Sequence, residues 1–372
     1  MPGQRNIILA FLTVLFVCCT LVFVLRSLNG SRSKTEVQKP KQDVQAPLVS
    51  AQTAPPTQIY RGQLGGQHIQ MELTRNGDVT IGRYFYDQFQ KDLRLEGRPN
   101  KDQRLELREM DATGRHTGTF VCKRADELEG FHMDLECDWS KPDGSGQLIA
   151  WLTEQAVDLP KGLAIKPRQV YQRGRIVNLS YPELISDGRP TRIFNARVSR
   201  LARESLADFI PDPGNKDVSL TVNYNVLLAT DEIISIELSE DFYAGGAHPS
   251  EDWRIFNYDV RNDREFRLND LVKDERTFKA AIWNYAAPAI NKLAVQLEQA
   301  DAREENRQPE NRGDVVSVDE PAEILAWGFT PKGVVVYFDF AHVMWVFSKV
   351  VVPYAEVKAH LKPDTAISKF VR

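Results

Sequence analysis

His248 is the residue of this sequence best placed to do chemistry. It follows Gly245, Gly246 and Ala247 and precedes Pro249. The two glycines permit close backbone approach to a ligand, and the proline disfavours helix at the histidine. Asp241, Glu251 and Asp259 are near in sequence. A histidine with a carboxylate can shuttle a proton or supply half of a metal site. Its ring nitrogens can equally do no more than tie down the Gly-Gly turn. Gly245, Gly246, His248 and Asp259 form the candidate ligand-binding set, and no residue is assigned as catalytic.

The other reactive side chains are scattered. His342 and Trp345 sit in an apolar stretch and read as packing residues, and His68 and His132 fall in alternating strands on expected solvent faces. No pair of histidines or of Glu and His has metal-ligand spacing, and no nucleophile elbow, phosphate loop or dinucleotide fingerprint occurs. No metal and no cofactor are expected. Tyr84, Phe85, Tyr86 and Phe89 could form a stacking platform for a sugar or peptide, or a β-domain core. Glu96, Glu106, Glu109 and Glu136 could offer an acidic face to a basic partner, or be scattered solvated charges.

Cys122 and Cys137 flank a connection containing Gly130. A disulfide between them would close a loop of ~15 residues, and such bonds persist in oxidising compartments. The alternative is two buried thiols in a reducing cell. A zinc site lacks the close ligand pairs it needs.

Two folded regions must position these groups. From 59 to 155 short alternating runs recur with turn signals about every ten residues, as at Ile69-x-Met71-x-Leu73 followed by Asn76-Gly77-Asp78. That texture predicts an antiparallel β-rich domain, a sandwich or small barrel. From 169 to 372 strands mix with helices. Ile193–Phe209 carries apolar residues at helical spacing, Glu275–Gln299 reads as a second helix kinked at Pro288, and Val334–Phe340 with Val343–Val352 reads as a terminal hairpin. The expected fold class is α+β, with helices packed on an antiparallel or mixed sheet.

Ile7–Leu25 carries no charge and is interrupted only by Thr13 and Thr20. As a helix it would span about 28 Å, close to the bilayer core. The run is long for a signal-peptide core, and no small-x-small cleavage pattern follows it. We read 7–25 as a transmembrane anchor, 1–6 as a cytoplasmic stub and 26–58, with Pro40, Pro47, Pro55 and Pro56, as a flexible linker. A bare count of positive charges favours the opposite orientation. The cysteine pair and the short leading segment favour a C-terminal bulk in the periplasm, tethered to the inner membrane. The 372 residues carry a formal net charge of -4 with 26% charged residues, so no electrostatic footprint for nucleic acid stands out.

The second region resembles a known family on several segments: Asn178-Leu179-Ser180-Tyr181-Pro182, Phe194-Asn195, Gly245-Gly246-Ala247-His248-Pro249, Phe256-Asn257-Tyr258-Asp259, Leu268-Asn269-Asp270-Leu271 and Val352-Pro353-Tyr354. It is similar to the extracytoplasmic domain of unknown function found in a lysozyme-sensing anti-sigma factor and beside some peptidoglycan deacetylase domains (RsiV-like). The resemblance implies an α+β cell-envelope module that binds something and implies no catalysis. The Ala341-His342-Val343-Met344-Trp345 segment departs from the family's Pro-, Ala- and Gly-containing turn. The expected function is non-catalytic binding of an envelope protein or peptidoglycan fragment. The rival is a cell-envelope hydrolase acting on peptidoglycan through His248 and an acid such as Asp259.

Overall fold

A computed structural model describes residues 57–124, 134–172, 176–188, 190–209, 218–243, 249–310, 313–363, 365–367 and 370. Residues 7–25 lie outside these, and among the described residues no helix is long and apolar enough to cross a membrane. The chain divides into two compact units, 1–54 with 294–313, and 55–293 with 314–372. Of the first, the structure describes residues 294–310 and 313, where Arg307 meets Glu298 and Glu305, each at 2.5 Å.

The second unit opens with eight antiparallel strands, β1 (Thr57–Leu64), β2 (Gln67–Asn76), β3 (Val79–Tyr86), β4 (Leu93–Pro99), β5 (Leu105–Met110), β6 (His116–Arg124), β7 (Leu135–Ser140) and β8 (Leu148–Gln155). They close into a barrel when β8 pairs with β1. Of the two architectures left open by the alternation, the barrel is the one adopted. Tyr60, Leu64, Ile69, Met71, Leu73, Tyr84, Leu95, Leu107, Phe120 and Leu152 fill its interior. The barrel is narrow, and two strand glycines make room. A Cβ on Gly62 would lie 1.8 Å from the Trp151 carbonyl oxygen, and one on Gly97 would lie 1.7 Å from that of Glu106. Strand β1 extends beyond the expected start at 59, because the prolines that mark the linker end at Pro56, one residue before it.

Cys122 and Cys137 are register partners on β6 and β7 and are joined by a disulfide, with Cα atoms 4.0 Å apart. This pairing is the one the sequence offered.

A six-stranded sheet follows, in the order β14-β13-β12-β11-β10-β9. Its strands are β9 (Leu163–Gln172), β10 (Ile176–Ser186), β11 (Ser219–Ala229), β12 (Ile233–Tyr243), β13 (Ser250–Asp259) and β14 (Arg264–Glu265). Only β10 and β11 run parallel, so the sheet is mixed. Helix α1 (Arg192–Asp208) connects those two strands and packs on the sheet. Phe194, Val198, Leu201 and Ala202 form its buried stripe, with Phe194 edge-on to Phe256 at 5.6 Å and to Tyr258 at 5.4 Å. Asn195 fixes the helix start by accepting from the Leu184 amide and donating to the Leu184 carbonyl.

Helix α2 (Leu268–Leu271) is a single turn, and α3 (Glu275–Glu304) continues through Pro288 and beyond the expected end at Gln299. A three-stranded sheet, β15 (Ile324–Phe329), β16 (Gly333–Phe338) and β17 (Lys349–Pro353), packs against β12 and β13. The terminal hairpin is thus shorter than expected. His342–Phe347 forms a 3-10 helix, and only Lys349–Pro353 returns as strand. Helix α4 (Tyr354–Val357) follows.

Candidate functional site

Gly245, Gly246 and His248 lie outside the described residues. The strands bordering them are described and carry the local chemistry. Asp259 ends β13 and Ser250 begins it, so the two are about 30 Å apart at ~3.3 Å per residue. Asp259 is buried. It accepts from the backbone amides of Arg261 (3.1 Å) and Asn262 (3.0 Å), and from the Asn262 side chain (2.8 Å). Its carboxylate holds the turn between β13 and β14.

The acids beside the Gly245–His248 segment are at the opposite end of the hairpin. Asp241 on β12 is the register partner of Glu251 on β13, and Glu240 is the partner of Asp252. Side chains alternate across a strand, so the two acid pairs occupy opposite faces. Arg254 serves one face. Its guanidinium meets Glu240 at 3.2 Å and Asp252 at 3.6 Å and donates to the Leu201 carbonyl of α1. On the other face Asp241 and Glu251 have no ion-pair partner among the described residues. Like charges directly opposed on a strand pair repel. Desolvation and the charge of Glu240 raise Asp241 above the usual carboxylate range, and desolvation and Asp241 raise Glu251. Such a pair accepts a cationic group or shares a proton.

Reading residues by type missed three buried polar groups. His68 is 3% exposed, which corrects its expected solvent-facing position. It does face out of the barrel, but the mixed sheet covers that face. Arg61, 1% exposed, occupies the same junction. It donates to both oxygens of Asp87 (3.2 and 2.7 Å), to Ser180 and Asn223 (3.3 Å each), and to the Tyr224 carbonyl (3.2 Å). The guanidinium carbon lies 3.7 Å from the Tyr224 ring centre, a cation–π contact. Burial opposes both charges. Arg61 and its hydrogen bonds nevertheless hold the Asp87 carboxyl below its ordinary range, and Asp87 raises Arg61.

Glu109 is 4% exposed inside the barrel, so it belongs to no acidic face. It accepts from Tyr84 (2.7 Å), Thr117 (2.6 Å) and the Trp139 indole (2.8 Å). Of the other glutamates considered, Glu136 pairs with Lys123 at 3.1 Å, and Glu96 and Glu106 stand opposite Arg108 and Arg98 in register. Those four line an open groove of about 510 Å³ on the barrel. Tyr84 and Phe85 are buried while Phe89 is exposed, so the aromatic cluster is largely core.

A third buried cluster joins the sheets. Glu237 accepts from Tyr337, Lys349 and Asn225, and Asn225 in turn accepts from Gln155 at the end of the barrel.

No family model matches this chain, and no curated protein matches it. Among solved structures it is similar to a DUF3298-family protein from Pseudomonas aeruginosa, at 21% identity over 56% of this chain and 96% of that one, with a TM-score of 0.35. It is also similar to a member of the same family from Bacteroides fragilis, at 13% identity over 56% of this chain and 98% of that one, with a TM-score of 0.35. These proteins are of the RsiV-like domain type.

Proposed function

We propose that this chain is a membrane-tethered extracytoplasmic binding protein that receives a cationic group of an envelope partner at the end of the β12–β13 hairpin. The observation that carries the reading is the facing pair Asp241 and Glu251, which has no ion-pair partner among the described residues, beside a pair that Arg254 neutralises. A basic partner, such as a lysozyme-like protein, relieves the repulsion by bringing the missing charge. The apolar run 7–25 supports the tether, and the Cys122–Cys137 bond supports an oxidising compartment. Titrating the full-length protein in detergent with lysozyme and with muropeptides tests it. Asp241→Asn with Glu251→Gln should weaken binding about tenfold, and raised salt should weaken it further. Absence of binding to either ligand, or an unchanged affinity in the variant, overturns the reading.

One observation favours a second reading. Facing carboxylates with raised proton affinity are also the apparatus of glycoside hydrolysis, where one acts as general acid. On that reading the chain cleaves peptidoglycan and Asp241→Asn abolishes turnover. A wild-type protein that releases no reducing ends from purified sacculi removes it.

A further inference from the structure

His68 is buried at the junction of the barrel and the mixed sheet. Both ring nitrogens are buried and lack a hydrogen-bond partner among the described residues, and its backbone carbonyl accepts from the Asp87 amide at 3.0 Å. Buried polar atoms are nearly always paired, so an imidazole with two orphaned nitrogens is a stressed element of the fold. The charged groups around it are Arg61 from β1 and Asp87 from the chain just beyond β3. Ser180 from β10 and Asn223 and Tyr224 from β11 close the junction from the sheet side, all bound to Arg61. Asp87 is already occupied, since it takes two hydrogen bonds from Arg61 and one from Ser180. The Tyr224 ring is buried beside the same guanidinium.

We infer that this junction is an acid-sensitive latch: protonation of His68 sets a second cation beside Arg61 in a buried interface and releases the outer face of β1–β3 from β10–β11. The neutral imidazole is the form the closed junction tolerates. Burial, and after it Arg61, push its proton affinity down to about 4, with Asp87 opposing. When the junction opens, the ring returns to an ordinary value near ~6.5. The sign follows directly. Above that value both states are neutral and the latch is closed. As pH falls below ~6.5 the open state takes up a proton that the closed state refuses, and closure weakens until pH ~4. Between pH 7.5 and pH 5 the opening equilibrium should rise about 30-fold. Asp87 cannot produce this change, because its carboxyl is held below its ordinary range and stays ionised across that interval.

Hydrogen exchange on the full-length protein in detergent, corrected for intrinsic rates, reads the opening directly. Amides of β1–β3 and β10–β11 should exchange about 30-fold faster at pH 5 than at pH 7.5. In His68→Gln, which cannot titrate, they should not respond to pH. A wild type and variant with the same pH response overturn the inference. Selective ¹³C labelling of histidine reads the ring in the wild type even where the variant fails to fold. A His68 midpoint well below ~6.5 is expected, and one at or above it overturns the latch.

Discussion

Arg61 and Asp87 meet through two parallel hydrogen bonds, of 3.2 and 2.7 Å, on the covered outer face of the barrel. Neither side chain is more than 1% exposed. Such a pair is costly to desolvate, and its partners are costly to separate. Asp87→Ala should therefore destabilise the protein by about 3–5 kcal/mol, because Arg61 keeps its charge in a buried site. Replacing both, as Arg61→Met with Asp87→Leu, should cost clearly less. Urea unfolding midpoints of the three proteins check the order. The pH dependence has its own sign. The folded Asp87 carboxyl is depressed, so its contribution is present above the ordinary value of ~3.9 and is lost as pH falls through the folded value.

Glu109 serves three donors inside the barrel. Glu109→Leu should cost several kcal/mol, at ~1–3 for each donor left unpaired. Glu109→Gln should cost about 1 kcal/mol or less, because its oxygen can keep Tyr84 and Trp139 while its amide donates to Thr117. Near-ultraviolet circular dichroism of Trp139 with chemical denaturation separates the two outcomes. Equal losses would show that the charge, not the acceptor geometry, matters.

The disulfide closes a loop with a sequence separation of 15. Its loss in Cys122→Ala with Cys137→Ala should lower stability by about 3 kcal/mol on the chain-entropy view. The wild type treated with reductant under native conditions should match the variant in urea midpoint. Labelling of the untreated protein with a thiol reagent should find neither Cys122 nor Cys137 free.

Asp241→Asn should act in opposite directions on stability and on binding. The folded carboxyl is raised, so its neutral form favours the fold and that contribution is lost as pH rises through the folded value. At pH 7 the charged group is a burden, and removing it should raise the melting temperature slightly. Binding of a basic partner should weaken in the same variant. A fall in both would assign Asp241 to the scaffold alone.

Much of the barrel is legible in the sequence because its strands alternate strictly. Ile69, Met71 and Leu73 face inward as their spacing requires, and the positive φ of Gly77, 62°, makes the turn its position announces. The same parity carried further would have placed Glu109 inside, since it follows Leu105 and Leu107 at intervals of two. Residue type argued for a solvent face and parity for the interior; parity prevailed because Tyr84, Thr117 and Trp139 supply the donors. His68 could not be found this way. Alternation tells which way a side chain points, but not whether a second sheet lies over that face. The His342–Phe347 segment was illegible for another reason: a short apolar run looks alike as strand or as 3-10 helix. The Asp241–Glu251 pair needed the strand register, which pairs residues ten apart in sequence and which the sequence alone does not specify.

The closure of β1 against both β2 and β8 has a mechanical side. Any pull that reaches the fold through the chain before Thr57 arrives at a strand laced on both flanks. Two ladders must give way together before the strand can be drawn out, so the first strand spreads a load applied at its N-terminal end over both of its neighbours.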